Sequence, residues 1–150
     1  MCGCDFLDAD DVREMRSYLT TCKPVVVVMV PPCRGMAGWG PFNKLVNNEA
    51  WRRSVAVSIP LGTLCGKVAL HQLSVGLHFF NEHPVRSALY RLPPWKRVAQ
   101  HPRTVTVVWD LCMTGLRSST TGLPMQKPSE AWASHERLLW RQRRATGGLP

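Results

Sequence analysis

One short segment restricts the fold of this sequence more than any other. Residues 25–30 read Val-Val-Val-Val-Met-Val, with Pro24 before them and Pro31-Pro32 after them. A run of β-branched residues favours an extended strand. Because no polar residue alternates with the apolar ones, both faces of that strand are predicted to be covered. We therefore expect a buried central strand of a parallel sheet that leads directly to Cys33.

The residues after this strand are predicted to form a loop. Positions 33–41 contain three glycines and a proline, a composition that regular helices and strands rarely tolerate. In open α/β sheets, binding sites lie beyond the carboxyl ends of the strands. Cys33, the first residue of the loop, is therefore the leading candidate for a chemical role.

The rest of the chain alternates helical and extended patterns. Asp8 is expected to cap a helix that ends before Lys23. A second helix, largely buried, is predicted over residues 61–75, and Ser134 is expected to cap a last helix. Further strands are predicted over residues 77–82, 104–109 and 129–132.

This alternation predicts an α/β fold of the Rossmann-like type, a three-layer sandwich with a mostly parallel sheet. The 150 residues suffice for one domain with one core. We expect residues 1–135 to form the α/β domain. Residues 136–150 are expected to form a basic C-terminal helix and a frayed tail.

Charge and hydropathy narrow the classes of partner. The net charge is +9, which is compatible with a nucleic-acid partner. The same charge also fits a solvated basic end, because Arg137, Arg141, Arg143 and Arg144 cluster there. No apolar run approaches the length of a membrane span, and no basic region of a signal peptide precedes the first acids. The sequence thus predicts an intracellular protein that does not bind a membrane.

The cysteines do not predict a metal site. The chain has six of them and no Cys-x-x-Cys pair, so the ligand spacing of a zinc site is missing. Most are expected to be reduced thiols, and Cys65 is expected to lie in the core.

Two predicted strands end in reactive or polar residues. The valine strand is followed by Pro31-Pro32-Cys33, and the strand at 77–82 ends in Asn81-Glu82-His83. If these strands are parallel neighbours, their ends open onto one crevice. Cys33 and Glu82 are then expected to lie close together.

These residues resemble the DNA cytosine-5 methyltransferase family, in which one strand leads to a Pro-Cys nucleophile and a later strand leads to a Glu-Asn-Val motif. The matching residues are Pro32-Cys33 and Glu82-His83-Pro84, and Gly3-Cys4-Asp5 resembles a turn near the adenosyl cofactor. Together with Asp110–Leu116 and Lys127-Pro128-Ser129, this order of motifs is also similar to parts of retroelement-type polyproteins.

The resemblance implies roles for individual residues. Cys33 would be the nucleophile and Glu82 the partner of the cytosine N3. Asp5 and Pro32 would contact S-adenosylmethionine. The target base would have to leave its helix, with nucleic-acid contacts from six basic or aromatic residues: Arg34, Trp39, Arg117, Arg141, Arg143 and Arg144.

The sequence departs from the family in ways that leave alternatives open. The glycine-rich loop that holds the cofactor's methionine is not recognisable, so the resemblance implies a domain that is truncated relative to a complete methyltransferase domain. Arg34 and His83 stand where the family commonly has Gln and Asn. One alternative is a non-catalytic nucleic-acid-binding or interaction module, part of a larger polypeptide. Another is a thiol hydrolase that pairs Cys33 with His83 or His78.

Overall fold

The computed structural model of the protein describes residues 4–38, 40–111 and 115–139. Four α-helices, two 3₁₀ helices and four strands lie in these ranges. In chain order they are α1 (Ala9–Cys22), β1 (Val26–Met29), α2 (Gly40–Val46), α3 (Asn48–Ser74), β2 (His78–Pro84), the 3₁₀ helix Ala88–Arg91, α4 (Pro93–Ala99), β3 (Val105–Asp110), β4 (Pro128–Ala133) and the 3₁₀ helix Glu136–Leu139.

The four strands form one mixed sheet in the order β1-β2-β4-β3. β1 and β2 are parallel, whereas β4 runs antiparallel to both of its neighbours. The expected Rossmann-like sandwich with a mostly parallel sheet is therefore wrong. The chain between β3 and β4 contains no described helix that could act as a crossover, so it returns antiparallel and inserts β4 beside β2.

The valine strand is an edge strand, and its predicted central, buried position is also wrong. Within the described residues β1 pairs with β2 alone. Val25, Val28 and Val30 are each about two-thirds exposed, and Met29 is the buried residue of the strand. A continuous apolar run indicates two apolar faces, but it does not indicate how many strands cover its edges.

The first helix agrees with its prediction. Asp8 lies in an extended conformation before α1, and its carboxylate accepts hydrogen bonds from the backbone N–H groups of Asp10 and Asp11 at 2.8 and 3.2 Å. Lys23 ends the helix in a left-handed conformation. Leu19 is the buried residue of this helix.

The long helix α3 packs through a stripe of small residues. The sequence predicted only its second half, from residue 61, and the helix begins at Asn48. A methyl group added at Gly66 would lie 2.8 Å from Pro94 Cβ, and one at Gly62 would lie 2.6 Å from Leu89 Cδ1. These two glycines therefore allow the chain after β2 to approach the helix closely.

In the described ranges, α3 is also the one helix whose length and apolar composition would allow it to cross a membrane. Its contacts with α4, α2 and both parallel strands place it at the centre of the fold. Burial against these elements accounts for the apolar residues of its second half, such as Val68 and Leu73, whereas Val57 and Ile59 of the first half are exposed.

The core has two parts, one on each side of the sheet. The larger lies between the sheet and α3 with α4, where the Trp95 indole N–H donates to the Gly62 carbonyl at 2.9 Å. The smaller includes Trp109 and Leu139. Leu139 belongs to the 3₁₀ helix that replaces the start of the predicted last helix, and Trp140 lies outside the described residues.

Ser134 does not cap that helix. Its hydroxyl accepts a hydrogen bond from the backbone N–H of Phe79 at 3.1 Å and lies 3.0 Å from His78 Nδ1. Ser134 therefore joins the end of β4 to the start of β2.

Candidate functional site

The ends of the two parallel strands form the candidate site. Met29 pairs with Asn81 in the β1–β2 register, so Cys33 follows the end of β1 by four residues and Glu82 follows Asn81 directly. The two strands are thus parallel neighbours, as the expectation for Cys33 and Glu82 required. Their roles in a reaction remain predictions.

The loop that carries Cys33 is fixed to the segment after β2. The Cys33 carbonyl accepts hydrogen bonds from the N–H groups of Met36 and Ala37 at 3.0 and 2.8 Å. The Met36 carbonyl in turn accepts from the Ala88 N–H at 2.8 Å and from the Ser87 hydroxyl at 3.1 Å. These bonds hold the loop beside the carboxyl end of β2.

Close packing against α3 supports the same loop. A methyl group added at Gly35 would lie 2.8 Å from the Ser54 carbonyl oxygen, so only glycine allows this approach. Met36 is buried in the main core. The Cys33 thiol is half-buried and not in a disulfide, so it can meet a ligand from outside.

Glu82 lies on the sheet face opposite to α3, because side chains alternate along β2. Its Oε1 atom is buried and has no hydrogen-bond partner among the described residues. The register places Ser129 and Trp109 on the same face, and Ser129 Oγ and Trp109 Nε1 are buried and unpartnered as well. An unpaired buried polar group costs about 1–3 kcal/mol, so these three groups on one face would gain from hydrogen bonds to a polar ligand or to water.

His83 lies on the α3 side of the same strand end. It is 1% exposed, and neither ring nitrogen has a hydrogen-bond partner in the described part of the chain. Burial, with a smaller contribution from the positive charge of Lys127, lowers the pKa of His83 to about 4. The Pro32 carbonyl raises the pKa of His83 by a smaller amount, although it accepts no hydrogen bond from the ring. The imidazole is therefore neutral at pH 7.

Tyr90 joins the strand end to β4, a role the sequence did not indicate. Its hydroxyl accepts from Asn81 Nδ2 at 3.0 Å and donates to the Glu130 carbonyl at 3.3 Å. Its ring stacks on Trp132 with centroids 4.3 Å apart. Burial raises the pKa of the Tyr90 hydroxyl, so it remains protonated. Asn81 was visible in the sequence beside Glu82, but no local pattern identifies Tyr90 as its partner.

The two predicted cofactor contacts, Asp5 and Pro32, lie in different surroundings. The Asp5 carboxylate accepts from the Leu7 N–H at 2.9 Å and is exposed before α1. Pro32 lines a groove of about 550 Å³ between α1, β1 and α3. In the described residues, the side chains of this groove include no charged group, and Tyr18 supplies its one hydroxyl.

The predicted nucleic-acid contacts are dispersed. Arg34 lines a separate groove of about 240 Å³ between α2 and α3, together with Trp51. The Arg117 guanidinium donates to the Gly122 carbonyl at 3.0 Å within its own exposed turn. Four more predicted contacts lie outside the described residues: Trp39, Arg141, Arg143 and Arg144.

Of the two histidines considered for a thiol hydrolase, His78 is at the wrong end of its strand. It pairs with Val26 at the start of β2, whereas Cys33 follows the opposite end. Arg103 Nη2 lies 3.3 Å from His78 Nδ1, and the pKa of His78 is lowered by burial, by Arg103 and by His135. Its neighbours are therefore structural groups.

Within residues 4–38, 40–111 and 115–139, no group of three or more His, Cys, Asp or Glu side chains could hold a metal ion. Comparison of the chain with protein-family models, curated proteins and solved structures finds no match. The site must therefore be interpreted from its own geometry.

Proposed function

We propose that this chain carries the nucleophile and base-binding part of a DNA cytosine-5 methyltransferase-like centre. One observation supports the proposal above the others. Cys33 follows the carboxyl end of β1, Glu82 is among the last three residues of the adjacent parallel strand β2, and a buried carboxyl oxygen of Glu82 has no partner among the described residues. Such an oxygen can meet a ring nitrogen of a bound base.

The proposed step is a reversible addition. The Cys33 thiolate forms a bond to C6 of a cytosine, and the C5–C6 π electrons move to C5. Glu82 in its acid form donates a proton to N3, which neutralises the charge that develops on the ring. The base must leave its helix, because the half-buried thiol cannot enter a stacked duplex.

The methyl donor needs more than the described residues offer. S-Adenosylmethionine carries a sulfonium, an ammonium and a carboxylate, each of which needs a polar partner when buried. The groove beside Pro32 has no charged side chain in the described ranges, so Asp5 and Pro32 alone do not fit the donor. The addition step does not depend on it.

A base that does not need the donor tests this step. DNA containing 2-pyrimidinone lacks the 4-amino group and is attacked at C6 more readily, so the adduct accumulates without methylation. We expect one DNA strand to add to the intact protein in denaturing mass spectrometry. Cys33→Ser should abolish the adduct, and Glu82→Gln should reduce it by about 10²-fold.

Cys22→Ser is the matched control, since Cys22 is an exposed free thiol on α1. It should leave the adduct unchanged. An adduct that persists in Cys33→Ser, or none with the unmodified chain, would refute the proposed step.

A second candidate is a non-catalytic nucleic-acid-binding module of a larger polypeptide. It is favoured by charge, because the described residues contain two ion pairs while the sequence carries a net +9. In that case DNA binding should be equal in the unmodified chain and in Cys33→Ala.

A further inference from the structure

The backbone of the edge strand β1 offers hydrogen-bonding groups that no described strand uses. In a parallel pair, the N–H and C=O groups of alternate residues point toward the neighbour. The Val25 carbonyl accepts from the His78 N–H at 2.9 Å, so Val25, Val27 and Met29 face β2. Val26, Val28 and the following Val30 therefore point their N–H and C=O groups outward.

Pro24 and Pro31-Pro32 flank this edge, but no protective feature lies within it. Natural edge strands carry charged residues, bulges or prolines that prevent another strand from pairing. No charged residue occurs between Pro24 and Cys33. Val28 and Val30 leave about two-thirds of their surfaces exposed, so apolar surface and unpaired backbone groups coincide.

The groove beside the edge extends this apolar surface. It encloses about 550 Å³, with β1 as one wall, Tyr18 and Leu19 of α1 as the other, and Leu64 and Val68 of α3 below. An added strand would direct every second side chain into this space. Those side chains must be apolar, because the described lining has no charge to pair with a charged one.

We propose that an extended peptide segment with apolar side chains at alternate positions docks on β1 as a fifth strand. Its backbone pairs with Val26, Val28 and Val30, and its inward side chains fill the groove between α1 and α3. This inference is independent of the proposed function, because it uses the edge of β1 and not the loop that follows it.

Two other sources of a strand fit less well. Residues 140–150 of this chain contain three arginines and lack an alternating apolar pattern. A second copy that paired antiparallel through β1 would bring its own α1 and α3 to the same sheet face, where those helices of the first copy already lie. A separate extended segment has no helices to accommodate.

Backbone amide exchange gives the sharpest test. The probe is an N-acetylated octapeptide that alternates valine and threonine and ends in lysine. On binding, the amides of Val26, Val28 and Val30 should exchange at about a tenth of their free rate or more slowly. The amides of Val27 and Met29, already bonded to β2, should change little. The same peptide with N-methyl groups on alternate amides cannot pair and should protect none of them.

A side-chain variant provides the second arm. Val28→Lys should weaken peptide binding at least tenfold, since a charge would enter the apolar edge. Val108→Lys is the matched control, because Val108 is exposed on β3 at the opposite edge of the sheet. Equal melting temperatures of the two variants would exclude unfolding as the cause.

Three results would overturn the inference. Protection of Val26, Val28 and Val30 that rises with protein concentration alone would identify a second copy as the occupant. Binding of the N-methylated peptide with equal affinity would indicate an apolar ligand pocket without strand pairing. Failure of the octapeptide to bind at all would show that the edge is closed.

Discussion

His83 is the residue at which burial and titration are most directly connected. Its side chain is enclosed between the Pro32 loop and Tyr90, with ring centroids of His83 and Tyr90 6.5 Å apart. Burial destabilises the charged imidazole relative to the neutral one, and the pKa of His83 is lowered as a result. An Asn at this position would not have this sensitivity to pH, because an amide does not titrate.

The stability of the protein should therefore depend on pH through His83. Its pKa is about 4 when folded and 6.5 in the reference state, so the unfolded chain binds the additional proton between these values. Stability is fully present above pH 6.5 and falls by about 1.4 kcal/mol per pH unit down to pH 4. Chemical denaturation across this window should show the slope.

His83→Asn should remove that contribution, because the amide does not titrate. From pH 6.5 to pH 4, the unfolding free energy of the unmodified protein should fall by about 3 kcal/mol relative to that of His83→Asn. This change is expected whatever the difference between the two proteins at neutral pH. Parallel curves for the two proteins would contradict the assignment.

Residue patterns located the two strand ends, but not the contacts that surround them. Pro-Pro-Cys and Asn-Glu-His could be located in the sequence because each follows an apolar run. The Tyr90–Asn81 hydrogen bond and the Ser87–Met36 bond join residues 9 and 51 positions apart. Their formation depends on how the chain turns after β2, which local spacing does not specify.

At the scale of elements, the fold depends on how closely α3 and α4 approach. A methyl group added at Gly66 would lie 2.8 Å from Pro94 Cβ and 3.1 Å from Trp95 Cδ1. The sequence predicted this helix from its apolar periodicity. It did not predict that the small residues form a contact surface. Within a helical pattern, glycine indicates only a lower helix propensity and not what packs against it.

Gly66→Ala should destabilise the protein by about 1–3 kcal/mol, since overpacking of α3 against α4 exceeds the gain in helix propensity. Thermal unfolding measures the effect. Gly38→Ala is the control, because nothing lies within 4 Å of its added methyl group. It should shift stability by at most about 0.5 kcal/mol, and an equal loss in both variants would refute the packing explanation.

The strand pairing explains why the fold class was predicted incorrectly. Alternating helices and strands favour parallel crossovers, and the step from β1 to β2 follows that rule through α2 and α3. The step from β3 to β4 passes through a segment rich in Gly, Ser and Thr, and the two strands then pair antiparallel. Direction is set by this long connection, whereas the strand patterns themselves are the same in either orientation.

At the scale of the whole molecule, positive charge is largely uncompensated. The described residues contain the ion pairs Arg13–Asp10 and Arg53–Glu49, both exposed. Exposed pairs contribute little to stability, so the basic side chains remain available to a polyanion. Their dispersion suits contacts with a phosphate backbone more than with base edges.

We expect sequence-independent DNA binding that weakens steeply with salt. If about five phosphates are neutralised, the logarithm of the association constant should fall with the logarithm of salt concentration with a slope of roughly −4 to −5. Fluorescence anisotropy with a labelled duplex measures the slope. An affinity that does not change between low and physiological salt would exclude this mode of binding.

The open edge of β1 also bears on colloidal behaviour. Uncharged valine segments with free backbone groups are templates for cross-β stacking. In this protein the net charge of +9 holds copies apart at low ionic strength. Screening by salt shortens that repulsion to about 10 Å at 0.1 M. At higher ionic strength the solubility of the isolated chain should therefore depend on the local gatekeepers of this strand, Pro24 and Pro31-Pro32 at its two ends.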